Sequence, residues 1–491
     1  MIKRKTLFPN LSKISLSIDS FENGLSLMFD NDLTNMRYAK KLQNFSYVDG
    51  CLKNGLGISS LDTIFKNSET LINDFKAVGN IIKTFHFYKY NKETLAREDK
   101  LIFINQDYNV YYINLYDSNI SLISLRLISF TSPPNAIHYR LNGEDVIIFS
   151  SETDNMIVWD GTNTPYEVLD APKISSMALH YERLFATVDG EKNAVWFSDD
   201  LDPTNWSVSL EEAGFIELID ERGALEKVIS FCDYIYIFRE YGISRLTAFG
   251  DQSQFSISNL FVSSGKIWTN SVCVCGDKIL FLASDGLYKF DGVNTTKILS
   301  NIYNGFSKNN GNCSACFHNG RYYLLADFYF DNEENAKQTI LEIDVSSNKL
   351  TNIISDLRAK TLTAINCETF NGVVVTCYDE ESENYIPGIL NQTATIFEKT
   401  LLKQWSSPTT NLNDSSHIKI LQNIQIDTLG PAILTINYDN KSTHINFAGK
   451  DSIQQLNTFI PLKKFSFTLS SNSPTCEIKN LTFEFIKTKR R

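Results

Sequence analysis

The stretch at residues 277–299, DKILFLASDGLYKFDGVNTTKIL, contains an apolar strand, a polar turn, a second strand with aromatic residues, and a further turn and strand. Two other stretches repeat this arrangement: residues 145–169, DVIIFSSETDNMIVWDGTNTPYEVL, and residues 233–249, DYIYIFREYGISRLTAF. The module recurs at a spacing of roughly 40–50 residues between His86 and Lys399. Self-similarity at this period predicts four-stranded sheets arranged around an axis, which is a β-propeller.

Seven candidate blades follow from this repeat. They cover residues 81–127, 136–169, 175–208, 224–261, 268–302, 313–354 and 360–399. Asp-Gly and Asn-Gly pairs fall between the apolar runs, where hairpins need them. Six or eight blades stay open as alternatives, because the first copy of the module is weak.

Segments on both sides of the repeat have a different character. Residues 1–79 are expected to be an N-terminal extension that makes assembly contacts and leads into the propeller at 80–403. Within this extension, 32–42 is expected to form a short helix with Asp32 or Thr34 as its N-cap. The stretch 59–78 is either helical or a first blade edge. After a polar linker at 406–416, alternating strands predict a small antiparallel β-sandwich over 404–491. The predicted fold class is therefore all-β, a β-propeller followed by a sandwich.

The composition of the chain argues against some classes of function. The 491 residues carry a net charge of −11, and wrapping of nucleic acid needs clustered Lys and Arg instead. An acidic surface suits a wall past which DNA slides, although ordinary solubility explains the charge equally well. No long apolar run is present, so no membrane-spanning segment is expected. The nine cysteines are interpreted as reduced, buried, small apolar residues.

Candidate catalytic groups are few. Asp199, Asp200 and Asp202 cluster in WFSDDLDPTNW at 196–206, but their spacing fits no twelve-residue calcium loop. Pro203 and Asn205 indicate a turn in which Asp202 accepts local hydrogen bonds. Cys313 and Cys316 have no second pair at metal-finger spacing. We therefore expect no enzymatic activity, no cofactor and no metal site.

Three segments resemble a known family, the β-propeller tail hub, nozzle and neck proteins of tailed-bacteriophage virions. The first is residues 21–58. It begins with a Gly-rich part at Gly24, continues with Asn44, Asp49-Gly50 and Leu52, and ends with a basic residue and glycines at 53–57. The family pattern often has an Arg at the position of Asn54-Gly55, so this chain departs from it there. The second is the loop that is similar to F-S-x-x-x-D-P-T-N-W, and its structural residues are Trp196, Asp202, Pro203, Asn205 and Trp206. The third is the C-terminal sandwich, with Ile424, Ile426, Gly430, Pro431, Leu434 and Phe465-Ser-Phe467.

The resemblance implies a structural part of a virion tail, synthesised in the cytoplasm of a bacterial host. Such a part forms a homo-oligomeric ring around the DNA exit channel and joins other tail or neck proteins, including a portal adaptor and tail fibres. DNA would pass through without sequence-specific binding. Deleting either flanking segment is expected to leave a soluble propeller that is not incorporated into particles.

Two other classes of function stay open from the sequence. One is a glycan-binding or glycan-cleaving propeller, which needs an exposed aromatic platform and a carboxylate pair in one pocket. The other is a cellular protein-interaction propeller. Flanking genes for portal, capsid and tail proteins would favour the virion component over both.

Overall fold

The computed structural model describes residues 13–21, 23–27, 36–61, 69–116, 121–210, 212–220, 222–330, 333–449 and 453–487. Antiparallel strands dominate these residues, and one α-helix lies among them. The segments before the propeller are β1 (Lys13–Ile18), β2 (Lys41–Gln43), β3 (Phe45–Val48), β4 (Cys51–Asn54), β5 (Gly57–Ser60) and α1 (Glu69–Val78).

The N-terminal segment differs from its sequence-based prediction. Residues 41–43 form β2, so the helix expected over 32–42 is wrong there, and its N-cap candidates Asp32 and Thr34 lie outside the described residues. Both alternatives for 59–78 hold in part. Its end is the helix α1, and its start belongs to a blade edge, although that blade is the last one and not the first.

Seven four-stranded antiparallel blades form the propeller, which confirms the expected fold class and blade count; blades 1 to 5 are separate sheets, and blades 6 and 7 are parts of larger sheets. Blade 1 contains β6 (Ile81–Tyr90), β7 (Arg97–Asn105), β8 (Asn109–Asn114) and β9 (Ile123–Ser129). Blade 2 contains β10 (Asn135–Leu141), β11 (Glu144–Ser150), β12 (Met156–Trp159) and β13 (Tyr166–Val168). Blade 3 contains β14 (Ile174–His180), β15 (Arg183–Val188), β16 (Ala194–Phe197) and β17 (Gly214–Glu217).

The remaining blades follow the same order. Blade 4 contains β18 (Leu225–Phe231), β19 (Tyr234–Arg239), β20 (Gly242–Thr247) and β21 (Ser256–Val262). Blade 5 contains β22 (Ile267–Val274), β23 (Ile279–Ala283), β24 (Gly286–Phe290) and β25 (Thr295–Ile298). Blade 6 contains β26 (Ser314–His318), β27 (Arg321–Phe328), β28 (Lys337–Asp344) and β29 (Lys349–Ile354). Blade 7 contains β30 (Ala359–Asn366), β31 (Asn371–Asp379), β32 (Asn384–Asn391) and, as its fourth strand, β5.

The second strand of each blade explains why the repeat is visible in the sequence. Every residue of β15 and of β23 is buried, because neighbouring blades cover both faces of these strands. A strand covered on both faces reads as a continuous apolar run and not as an alternating one. The runs VIIF, YIYIF and KILFLA of the repeat are such strands.

An N-terminal strand closes the ring. The antiparallel pairing of β5 with β32 supplies blade 7 with its outer strand, and Ser60 lies opposite Gly388. The innermost strands of blades 7 and 1 then meet, since the hydroxyl of Thr363 donates to the carbonyl of Thr84 at 3.1 Å. Deletion of the N-terminal segment would remove β5, so the expected soluble propeller without this segment is inconsistent with the strand pairing.

The C-terminal part is a two-sheet sandwich, as expected. Its strands and the short hairpin before it are β33 (Thr395–Ile396), β34 (Lys399–Thr400), β35 (Lys403–Ser406), β36 (Lys419–Leu429), β37 (Ala432–Tyr438), β38 (Lys441–Phe447), β39 (Ile453–Leu462), β40 (Phe465–Ser471) and β41 (Glu477–Lys487). One sheet has the order β2-β35-β40-β37-β38, and the other contains β41, β36 and β39.

N-terminal strands enter both sheets of the sandwich. β1 and β4 pair with β41, β2 pairs with β35, and β3 joins β4 to the last strand of blade 6 through the pair Asn352 and Ser46. The division into 1–79, 80–403 and 404–491 stays a prediction about domains. Strand pairing nevertheless crosses both of its boundaries, and the sandwich and blade 6 share one hydrophobic core.

Candidate assembly surface

The strand β39 lies at the free end of its sheet. Among the described residues it pairs only with β36, so its other edge presents backbone N–H and C=O groups without a neighbouring strand. Such an edge can accept a strand from another chain, and monomeric proteins usually protect it with charged side chains. The ten residues of β39, IQQLNTFIPL, contain no charged side chain. No charged side chain therefore protects this edge, although Pro461 lacks a backbone N–H and a β-bulge interrupts the strand.

Exposed apolar side chains accompany this edge. Phe459 is 74% exposed and Ile453 is 61% exposed, and Leu456 is exposed as well. Burial of a large apolar side chain contributes about 1.5–3 kcal/mol, so these residues offer binding energy in addition to backbone hydrogen bonds. β39 is absent from the strands predicted from the sequence. Its signal was the uncharged apolar stretch before Lys463, which alternates poorly because a β-bulge places residues 458 and 459 of β39 opposite one residue of β36.

Asn44 holds the sandwich against the propeller. Its side-chain amide donates to the carbonyl of Leu402 at 2.8 Å, and its side-chain oxygen accepts from the backbone N–H of Ser355 at 3.0 Å. Its backbone N–H donates to the carbonyl of Ile353 at 2.8 Å. Asn44 is fully buried and adopts a φ of 57°, a conformation that Asn tolerates better than most residues. The assembly surface is thus carried on a sandwich that is bonded to blade 6.

Aromatic packing in the sandwich adds to this connection. Trp405, on β35, is fully buried and makes an edge contact with Phe21 at 5.2 Å between ring centroids. On its other side it contacts Phe467 at 5.4 Å. The N-terminal segment therefore contributes a side chain to the centre of the sandwich as well as strands to its sheets.

The loop at 196–206 is packed and internally hydrogen-bonded. Asp202 accepts from the backbone N–H and the hydroxyl of Thr204 at 2.9 and 2.6 Å. The backbone N–H of Asn205 donates to the carbonyl of Asp202 at 3.4 Å, so Pro203 occupies the second position of a tight turn. The side chain of Asn205 donates to Asp199 at 2.8 Å. Asp199 and Asp202 are therefore engaged within the loop, whereas the exposed Asp200 pairs with Arg183 at 3.9 Å.

The two tryptophans of this loop have different environments. Trp206 is buried between blades 2 and 3, and its indole N–H donates to the carbonyl of Pro203 at 2.9 Å. Trp196 is half-buried and stacks on Phe215 at 5.1 Å, and its indole N–H donates to Glu191 at 2.7 Å. The loop therefore has a structural role: it connects β16 to β17 within blade 3 and places Trp206 between blades 2 and 3.

A cavity of about 530 Å³ lies between blades 7 and 1. Its lining includes the exposed aromatic rings of Tyr90 and Tyr116 and the exposed carboxylate of Glu368. The buried carboxylate of Asp99 also lines it, but Asp99 contacts the imidazole of His86 and the guanidinium of Arg97, each at 2.7 Å. The cavity offers an aromatic platform, and one of its two carboxylates is already paired.

The cysteines and histidines form no metal site among the residues that the structure describes. All nine cysteines are free thiols. Blade packing brings Cys273 near Cys275, Cys313 and Cys316, and burial raises the pKa of the Cys313 thiol to about 12. Cys232 is exposed in a turn, and Cys51 and Cys273 are only half-buried, so the interpretation of all nine cysteines as buried residues is wrong for these three. No helix in the described part of the chain is long and apolar enough to cross a membrane.

Comparison with known proteins gives no family. No protein family model matches the chain, and no curated protein matches it. Similar solved structures include a crystal structure of BBS1N in complex with ARL6DN, with a TM-score of 0.38, 8% identity, and coverage of 64% of this chain and 96% of that one. Another is apo AztD from Citrobacter koseri, with a TM-score of 0.29, 11% identity, and coverage of 52% and 69%. These similarities are too weak to carry an argument about function, and the blades described above establish the fold.

Proposed function

We propose that this protein is a structural component of a bacteriophage tail, located in the virion after synthesis in the bacterial host. Several copies form a ring around the DNA exit channel and join neighbouring tail or neck proteins, such as a portal adaptor and tail fibres. The observation that carries this proposal is the uncharged edge strand β39, whose outer edge has no partner among the described residues and which belongs to a sandwich bonded to the propeller.

The contacts between copies are assigned to the sandwich because of its edge. A propeller closes on itself and leaves only short edges, so its blades offer little for strand pairing. In contrast, the ten-residue strand β39 has no partner on its outer edge among the described residues, and it exposes Phe459 and Ile453. Rings form when such contacts repeat with a closing rotation. The net charge of −11 supports passage of DNA without binding, because phosphate contacts depend on Lys and Arg.

The assembly proposal is tested with Phe459→Lys in the full-length chain. The introduced charge opposes strand pairing at the edge, so we expect the variant to sediment as a monomer where the native chain forms a ring. Leu169→Lys is the matched control, because Leu169 is 72% exposed and lies after the last strand of blade 2. A native chain that sediments as a monomer, or a ring that persists in Phe459→Lys, would reject the assigned surface.

A second candidate function is a glycan-binding or glycan-cleaving propeller, favoured by the cavity between blades 7 and 1. Tyr90 and Tyr116 supply the exposed aromatic rings on which sugars stack, and Arg97 and Glu368 add polar groups. Glycan-array binding that is lost in Tyr90→Ala would favour this function. Retention of virion incorporation by the same variant would show that the two functions are separate.

A further inference from the structure

The central channel of the propeller contains two lysines. Lys83 lies on β6, the innermost strand of blade 1, and Lys227 lies on β18, the innermost strand of blade 4. Each side chain is half-buried. Burial, and to a smaller extent the charge of Lys227, lower the pKa of Lys83 to about 8. The charge of Lys227 therefore acts on the ammonium group of Lys83.

Neither lysine has a carboxylate partner among the described residues. The ammonium of Lys83 donates to the side-chain oxygen of Asn135 at 2.6 Å. The ammonium of Lys227 donates to the carbonyls of Thr269 and Val272 at 3.1 and 3.0 Å. All these acceptors are neutral, and an ammonium group has three N–H donors. The hydrogen bonds named here leave donors on both lysines for another acceptor.

The neighbouring charged groups do not neutralise this pair. Glu226 precedes Lys227 in β18, but its carboxylate pairs with Lys266 at 3.1 Å and accepts from the hydroxyl of Thr269 at 3.0 Å. The thiols of Cys273 and Cys313 face Lys227, and burial raises the pKa of Cys313 to about 12. Hydrogen bonding from Cys275 lowers the pKa of Cys273, which leaves that thiol as the one group with a tendency to become anionic.

The space beside the lysines is large enough for a small molecule. A cavity of about 410 Å³ is lined by Lys227 and by Asn135, the hydrogen-bond partner of Lys83. Ser176, Ser230 and Met177 also line it. Two like charges near each other on a half-buried surface are unfavourable unless an opposite charge compensates them. In a protein with a net charge of −11, this positive centre is not explained by overall composition.

We propose that the channel binds a compact dianion, such as inorganic phosphate or a short dicarboxylate, between Lys83 and Lys227. The anion accepts hydrogen bonds from both ammonium groups, and Asn135 orients Lys83 toward it. This site is independent of β39 and of the proposed tail function.

The test is isothermal titration calorimetry of the full-length protein with inorganic phosphate, succinate and acetate at constant ionic strength. We expect saturable binding of phosphate or succinate and much weaker binding of the monoanion acetate. Lys83→Met and Lys227→Met should each weaken binding by about tenfold or more, as expected when a charged hydrogen bond is lost. Lys441→Met, at an exposed lysine of β38, should leave binding unchanged.

A labelling experiment on the native protein tests the same site without substitutions, so it applies even where the variants fail to fold. Acetic anhydride modifies accessible lysines, and peptide mass spectrometry locates the product. Phosphate should protect Lys83 and Lys227 while Lys441 is modified at the same rate. Absence of saturable binding, equal binding of acetate, native affinity in either channel variant, or no selective protection would each overturn the proposal.

Discussion

The side-chain oxygen of Asn44 accepts a hydrogen bond from the backbone N–H of Ser355 at 3.0 Å, across 311 positions of the chain. Asn44 belongs to the turn between two N-terminal strands, and Ser355 follows the last strand of blade 6. Both residues are fully buried. This pair joins the N-terminal segment to blade 6. Because the same segment also pairs with strands of the sandwich, the sandwich is connected to the propeller by more than the linker between them.

Replacing Asn44 with Ala should lower the free energy of unfolding by about 1–3 kcal/mol, because the buried backbone N–H of Ser355 and the carbonyl of Leu402 lose their partner. Asn440→Ala is the control, since Asn440 also has a positive φ, 63°, but is exposed. Chemical denaturation measures both variants. Equal losses in the two variants would show that backbone conformation, and not the buried hydrogen bonds, determines the effect.

Gly57→Ala should destabilise the closure of the ring. A Cβ at Gly57 would lie 2.4 Å from the carbonyl oxygen of Thr395, so the hairpin β33–β34 or β5 has to move. Steric overpacking of this kind costs about 1–3 kcal/mol. In Gly311→Ala the nearest atoms would lie 3.9 Å away, so little change is expected. Thermal unfolding followed by circular dichroism compares them, and identical melting temperatures would contradict the closure described here.

Trp206→Ala should lower stability by about 3–5 kcal/mol, because the large ring fills the space between blades 2 and 3. Trp196→Ala should cost less, since Trp196 is only half-buried and packs on Phe215 at the surface. Differential scanning calorimetry distinguishes the two. If Trp206→Ala is as stable as the native protein but no longer binds a ligand, the loop is a binding site and not a structural loop.

Lys83→Met should be more stable than the native protein at pH 7 in phosphate-free buffer, by on the order of 1–3 kcal/mol. The pKa of Lys83 is about 8 in the folded state against 10.5 for an ordinary lysine. Below pH 8 the lysine is charged in both states, and the cost of its burial is fully present. Between these two values only the unfolded state keeps the proton, so the native protein gains stability as the pH rises.

The difference between native and variant should therefore shrink from pH 7 toward pH 10. Denaturant titrations at several pH values measure it. A difference that grows with pH, or none at pH 7, would show that the Lys83 ammonium is not destabilised by its surroundings.

The sequence predicted the blades of the propeller better than the pairing between strands that are distant in the chain. The apolar runs of β11, β19 and β23 stand out because burial on both faces leaves no polar alternation. The third blade extends to Glu217, beyond the predicted 208, because its fourth strand follows the long loop after Trp206. Seven blades and a C-terminal sandwich could thus be inferred from local patterns alone.

Long-range strand pairing could not be predicted from the same patterns. The strands β2 to β5 contain three or four residues each, too few for a periodic signal, and their partners lie about 300 to 400 positions away. The stretch 32–42 resembles a helix locally, yet pairing with β35 makes residues 41–43 a strand. Tertiary context decided these elements, as it often does for short segments.

The proposed tail component is tested most directly by a cryo-EM map of the intact virus particle whose genome encodes this chain. The proposal predicts several copies in a ring on the tail axis, with β39 in contact with a neighbouring copy and with an inner wall that is neutral or acidic. Absence of the chain from purified particles, together with a free monomer that hydrolyses a glycan, would contradict it.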